Sequence, residues 1–194
     1  MYHVIVTGEP VESAIRDTAL LDLKLLASDI DLVGAEIELV GLERREHRLR
    51  LALAGVSAAY EYVIVDCPPS LGLLTLNALV AADRVMVPLQ CEFYALEGLT
   101  HLLKTVKLVK ERLNPGLRVA GIVLTMFDGR TSLALQIRDE VRQYFPGEIF
   151  ATVIPRNVRL TEAPSHGKPV MLHDLKSQGA VAYLELTREV LQNE

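Results

Sequence analysis

Asp66 closes the apolar run Tyr62, Val63, Ile64, Val65 and is followed by Cys67, Pro68, Pro69 and Ser70. A carboxylate at the tip of a buried strand is held rigidly while its oxygens stay wet. Nucleotide hydrolases place an acid beside magnesium in this way. The same layout serves an acid that only caps a turn. The double proline stiffens the turn, and Ser70 is placed to cap a helix beginning near Leu71. Cys67 and Cys91 lack the CxxC spacing of a zinc or redox pair and read as small buried hydrophobes. His166 and His173 have no metal-ligand spacing and receive no role.

A second concentration of chemistry lies in residues 129–168. Six bases (Arg130, Arg138, Arg142, Arg156, Arg159, Lys168) face four acids (Asp139, Glu140, Glu148, Glu162) there, a local excess of +2 on a chain of net charge −5. A basic rim on an acidic body suits weak contact with a polyanion backbone, and a solvated helix produces the same count. The overall charge does not by itself point to nucleic-acid binding.

These residues need a scaffold. Four short β-branched runs, residues 62–65, 84–89, 119–125 and 149–154, are continuously apolar, as strands covered on both faces are. Helical periodicity separates them. Leu99, Leu102, Leu103, Val106, Val109 and Leu113 share one face before Asn114-Pro115-Gly116 ends it. Residues 132–145 and 180–191 repeat the pattern. Strict alternation of strand and helix predicts an α/β fold with a mostly parallel sheet flanked by helices, binding ligands beyond the strands' carboxyl ends. The first 60 residues are less regular: 1–6 and 23–27 have strand propensity, although a helix can also start at residue 1, and 43–58 has a helical period. At 194 residues, half of them apolar, residues 1–194 are expected to form a single domain. The longest apolar stretches, about six or seven residues, are far short of the roughly 20 that cross a bilayer, and the start lacks a signal-peptide layout, so a cytoplasmic protein is expected.

The stretches YEYVIVDCPPSLGLLTLNAL, VPLQCEFYALEGL, VLTMFDGRTSL and TVIPRNVRLTEAPSHGKPV, in that order over nearly the whole chain, resemble the ParA/Soj family of chromosome and plasmid partitioning ATPases. The resemblance implies a P-loop NTPase fold of the ParA/MinD type with a deviant Walker A motif, binding ATP and Mg2+. It further implies an ATP-bound homodimer, non-specific DNA binding on the nucleoid and stimulation by a ParB-type centromere-binding partner. Asp66 resembles the Walker B acid, catalytic and organising Mg2+ through water. Pro155 and Asn157 resemble residues that frame the adenine, and Arg130 and Arg159 resemble residues that contact DNA phosphates. Without the resemblance, Asn157 and Pro155 read as a turn cap and a stiffener, and both arginines as solvated.

The departure from that pattern is the phosphate loop. No GxxxxGK[ST] occurs in the chain, and the family's first strand, its KGGVGKT-like loop and helix, and the following DxD-like motif have no counterpart. About two βα units, or about 60 residues, are expected to be missing, Met1 standing where the family has an internal residue. Without amides and lysine to cradle phosphates, this chain is expected not to hydrolyse ATP.

Three other readings compete. A MinD-type division-site ATPase ends in a basic amphipathic helix, whereas this terminus sets Glu185, Glu189 and Glu194 against Arg188, which disfavours a membrane. A non-catalytic module would keep only DNA or partner contacts. An iron-sulfur reductase needs a bridging cysteine, and Cys67 lies too close to Asp66 to serve.

Overall fold

The computed structural model describes residues 1–193; Glu194, counted above among the terminal acids, lies outside them. The chain divides into two compact units, Met1–Asp83 with Thr105–Leu117, and Arg84–Lys104 with the residues from Arg118 onward.

The first unit holds α1 (Tyr2–Val6), a small antiparallel pair β1 (Ile15–Asp17) and β2 (Lys24–Leu26), α2 (Asp31–Glu38), α3 (Arg48–Leu53) and α4 (Leu73–Ala81). The β-rich start is helical because it finds apolar cover and not a ladder: Ile5 packs with Ala35 and Leu39 of the α2 region. Strand propensity yields to such context. Arg48 ties α3 to α1 by donating to the carbonyls of Ile5 (2.8 Å) and Val6 (3.1 Å). The helix expected over 43–58 is shorter because Arg44 turns left-handed (φ 52°), so that 3-10 turns flank α3. Asn77 of α4, 0% exposed, accepts from the Leu49 N–H (3.0 Å) and donates to the carbonyls of Arg45 (2.8 Å) and Leu73 (2.9 Å). A buried amide so satisfied fixes one arrangement of α3 against α4.

The second unit begins with β3 (Arg84–Gln90), and α5 (Ala95–Arg112) contributes to both units. There follow β4 (Arg118–Thr125), α6 (Ser132–Tyr144), α7 (Val158–Ser165), α8 (Val170–His173) and α9 (Gln178–Gln192). β3 and β4 are parallel, from Arg84 opposite Arg118 to Gln90 opposite Thr125. Val87, Leu89, Ile122 and Leu124 pack on Leu99 of α5 and on Ile137 and Val141 of α6. The other face of β4 packs Val123 against Phe150, Ile154 and, from α9, Ala182 and Leu186. β4 is therefore buried on both faces, as its continuous apolarity predicts. β3 instead alternates, with Met86, Pro88 and Gln90 outward.

Two of the expected strands take other forms. Residues 62–68 form no strand, and Tyr62, Val63 and Ile64 are exposed, Ile64 at 91%. An apolar run becomes a strand only beside a partner, and among the described residues of this unit only β1 and β2 form a ladder. The segment 148–155 does run along β4 but is interrupted. Glu148 O accepts from Ile122 N (2.6 Å), Phe150 N donates to Ile122 O (2.9 Å), and Ile154 N donates to Leu124 O (2.8 Å). Four residues' advance on one side thus opposes two on β4. The N–H groups of Ala151 and Thr152, displaced from the ladder, donate to the Glu189 carboxylate of α9 at 2.6 and 2.9 Å. This is a bulge closed by a side chain.

Candidate functional site

The first unit carries Asp66, exposed in the irregular segment before α4. Cys67 Sγ reaches Val65 O at 3.6 Å, and desolvation together with the adjacent Asp66 carboxylate pushes its thiol up. Cys67 is exposed at its surface, unlike the buried hydrophobe expected. The helix here begins at Leu73 with Gly72 as its cap residue, and Ser70 contributes its carbonyl, accepting from the Thr75 hydroxyl at 2.5 Å, in place of the side-chain cap expected of it. Among the described residues no group of three or more His, Cys, Asp or Glu is arranged to hold a metal ion. An open depression of about 410 Å³ in this unit is lined by Tyr2, His3, Ile30, Asp31, Gly34 and Glu38, and its two carboxylates make it a poor phosphate cradle.

The second unit brings two sequence-distant loops together at the end of β4. Met126 is held at φ 50°, and Phe127 then bridges in parallel to Pro155. Phe127 N donates to Ile154 O (3.0 Å), and Arg156 N donates to Phe127 O (3.2 Å). Pro155 sits between these bonds, at a position where no N–H is demanded. Two helices start from the joined loops. Thr131 caps α6, its hydroxyl accepting from Ala134 N at 3.4 Å; Asn157 caps α7, its Oδ1 accepting from Arg159 N at 2.9 Å. The cap function that the bare sequence allows for Asn157 is thus present.

Both arginines are engaged. Asp128 accepts from Arg130 three times, from Nε to Oδ1 (2.9 Å), from Nη2 to Oδ2 (2.7 Å) and from the backbone N to Oδ1 (3.1 Å). The Arg130 guanidinium, helped by the Arg130 N–H and more distantly by Arg156, holds the Asp128 carboxyl down to about 2 against a small opposing effect of desolvation. The Arg130 side chain is 90% exposed. Arg159 pairs with Glu162 (2.7 Å) and Asp174 (3.4 Å), and its hydrogen bond is the main cause that lowers the Glu162 carboxyl. His173 lies 3.7 Å from Glu162 and stacks on His166 with ring centres 4.9 Å apart.

The structure therefore gathers Pro155, Asn157 and Arg130 around one loop junction, with Arg159 on the first turn of α7. Asp66 belongs to the other unit. Sequence reasoning missed Asp128, which stands one residue before the basic window that starts at Gly129, and Glu189, which lies on a helix remote in sequence from the amides that it binds. The D-x-R spacing of Asp128 and Arg130, a side chain reaching the N–H two residues on, is the signal for the first; a carboxylate on a distant helix gives none.

A family model described as an AAA domain matches residues 1–119. The chromosome partitioning protein ParA of Myxococcus xanthus is 52% identical over 194 residues, covering 100% of this chain and 69% of the relative. The sporulation initiation inhibitor protein Soj of Bacillus subtilis is 52% identical over 193 residues, covering 100% of this chain and 76% of the relative. Among solved structures, the cobyrinic acid a,c-diamide synthase of Mycobacterium smegmatis with bound ADP and magnesium superposes with a TM-score of 0.83 at 35% identity, covering 98% of this chain and 70% of that one. The alternating α/β architecture is that of the P-loop ATPases to which these proteins are related. Identity sustained across the full chain at this level makes it a member of the ParA/Soj family of partitioning ATPases.

Proposed function

We propose that the chain serves DNA segregation, contacting duplex DNA through Arg130 and Arg159 without reading its sequence. In this reading it works in the cytoplasm on the nucleoid, and the ATP-bound homodimer stimulated by a ParB-type partner forms only where a phosphate loop completes the nucleotide site. Pro155 and Asn157 frame the adenine; with Oδ1 of Asn157 committed to the α7 cap, its amide nitrogen is the group left to a base.

The observation that carries the DNA reading is the loop junction at Phe127 and Pro155, which starts two helices from one place and sets exposed Arg130, Arg156 and Arg159 on loops and first turns. Guanidinium groups so placed suit phosphate oxygens, which lie on the outside of any duplex.

The fit to magnesium and phosphates is poor. Asp66 is an exposed carboxylate that belongs to no metal-holding group of three or more among the described residues, and the 194 residues contain no phosphate loop. These residues alone supply no hydrolytic site, and as a 194-residue chain the molecule is inactive toward ATP in this reading. Asp66 becomes a magnesium-organising acid only where a phosphate loop supplies the partner charges.

A binding titration of the chain on two unrelated duplexes at about 50 mM salt and above tests the DNA assignment. Arg130→Ala and Arg159→Ala are expected to weaken both duplexes equally and to flatten the dependence on salt. An unchanged slope in both variants, or a loss confined to one duplex, overturns it.

A further inference from the structure

Arg130 presents its guanidinium fork to a carboxylate two residues away. The two oxygens of Asp128 take Nε and Nη2 at 2.9 and 2.7 Å, and the backbone N–H of Arg130 holds the same carboxylate at 3.1 Å. A phosphodiester offers two non-bridging oxygens to the same fork. The carboxylate and the phosphate therefore compete for one set of donors, and a tether of two residues gives the carboxylate a high effective concentration. Around Arg159 the same arrangement recurs by different means, with Glu162 one helical turn ahead and Asp174 just beyond α8.

The geometry points to Asp128 and Glu162 as built-in competitors that occupy the arginine forks in place of a nucleic-acid phosphate and so set the strength and the salt range of DNA binding. This rests on the DNA reading above and adds a threshold to it. An arginine already paired contributes only the difference between two anions. One such site binds weakly, and several engaged together on a polyanion are needed before the exchange favours DNA. A carboxylate freed by the exchange also takes up a cation from solution, which offsets part of the counterion release and makes the salt dependence shallower than the number of arginines suggests.

The test is a DNA titration of the whole chain, carrying Asp128→Asn, Glu162→Gln, and each combined with Arg130→Ala or Arg159→Ala. Asparagine keeps an Oδ1 for the Arg130 N–H, so the turn persists; melting curves verify it. Exposed ion pairs are weak, so Asp128→Asn is expected to tighten binding about two- to fivefold, with a log–log salt slope steeper by up to about 1. The gain is expected to vanish in the Asp128→Asn, Arg130→Ala double variant. Glu185→Gln, which removes an equal charge from the exposed side of α9, is expected to change little. A gain that survives loss of Arg130, or that Glu185→Gln equals, is a net-charge effect and overturns the proposal. If Arg130→Ala weakens binding while Asp128→Asn leaves it unchanged, the competition fails and the DNA assignment stands. If Arg130→Ala binds as wild type does, the DNA assignment fails and the proposal with it.

Discussion

Glu189 shows how one side chain can decide whether a segment survives as part of a sheet. Partial burial pushes its carboxyl up, but the N–H groups of Ala151 and Thr152 outweigh this and the net shift is downward. A carboxyl lowered on folding contributes stability that is present above its unfolded value of about 4.3 and is lost as pH falls through the folded value. Glu189→Ala should therefore cost about 1–2 kcal/mol near neutrality by leaving two amides without their acceptor. Chemical denaturation of wild type and Glu189→Gln should show a gap that narrows below about pH 4; a constant gap would mean that charge has no part in it. Asn157 offers a parallel case. Asn157→Ala should destabilise the second unit by about 1 kcal/mol through loss of the α7 cap, while Asn157→Asp should melt close to wild type. The Asn157 cap is legible in the sequence, but the Glu189 role is not, since the donors that Glu189 serves become neighbours only after α9 has packed.

At the scale of elements, legibility followed length and local sufficiency. α5, α6, α9, β3 and β4 stand within a few residues of the runs and periods that predict them, because each carries its own apolar pattern and stop signals such as Asn114-Pro115-Gly116. Residues 1–6, 62–65 and 149–154 all have strand propensity, although a helix can also start at residue 1, and they meet three different outcomes, a helix, an irregular segment and a bulged edge. Partners decide among these, and they are not written in six residues. The bulged edge also depends on Gly121 of β4. Its φ of 152° and a would-be Cβ only 2.7 Å from Phe150 Cε2 leave no room for a side chain. Gly121→Ala should cost about 2–4 kcal/mol, from backbone strain and overpacking. Adding Phe150→Leu should recover part of that in equilibrium unfolding if crowding is the cause, and none if the strain is purely in the backbone. Of the candidate site, the loops at 127–130 and 155–159 were legible as chemistry, but that they are joined was not; the joining needs the parallel bridge from Phe127 to Pro155.

For the whole molecule, the resemblance to nucleotide hydrolases and the residues that are present pull apart. Phosphate loops supply the dominant anion contacts in P-loop folds. Calorimetric titration of the 194-residue chain with magnesium and ATP is expected to show no saturable binding in the micromolar range, and saturable binding there would reveal a phosphate site built from other residues. The first unit carries a further consequence of its sequence. Leu21, Ile30, Ile37 and Ile64 stand at least 80% open to water, whereas among the described residues of the second unit the most exposed large aliphatic side chain is Val158 at 64%. Aliphatic surface is driven together by an effect that weakens on cooling and strengthens with sulfate. Solutions of this chain should then stay clear on ice, cloud on warming well before the helices melt, and clear again when chilled.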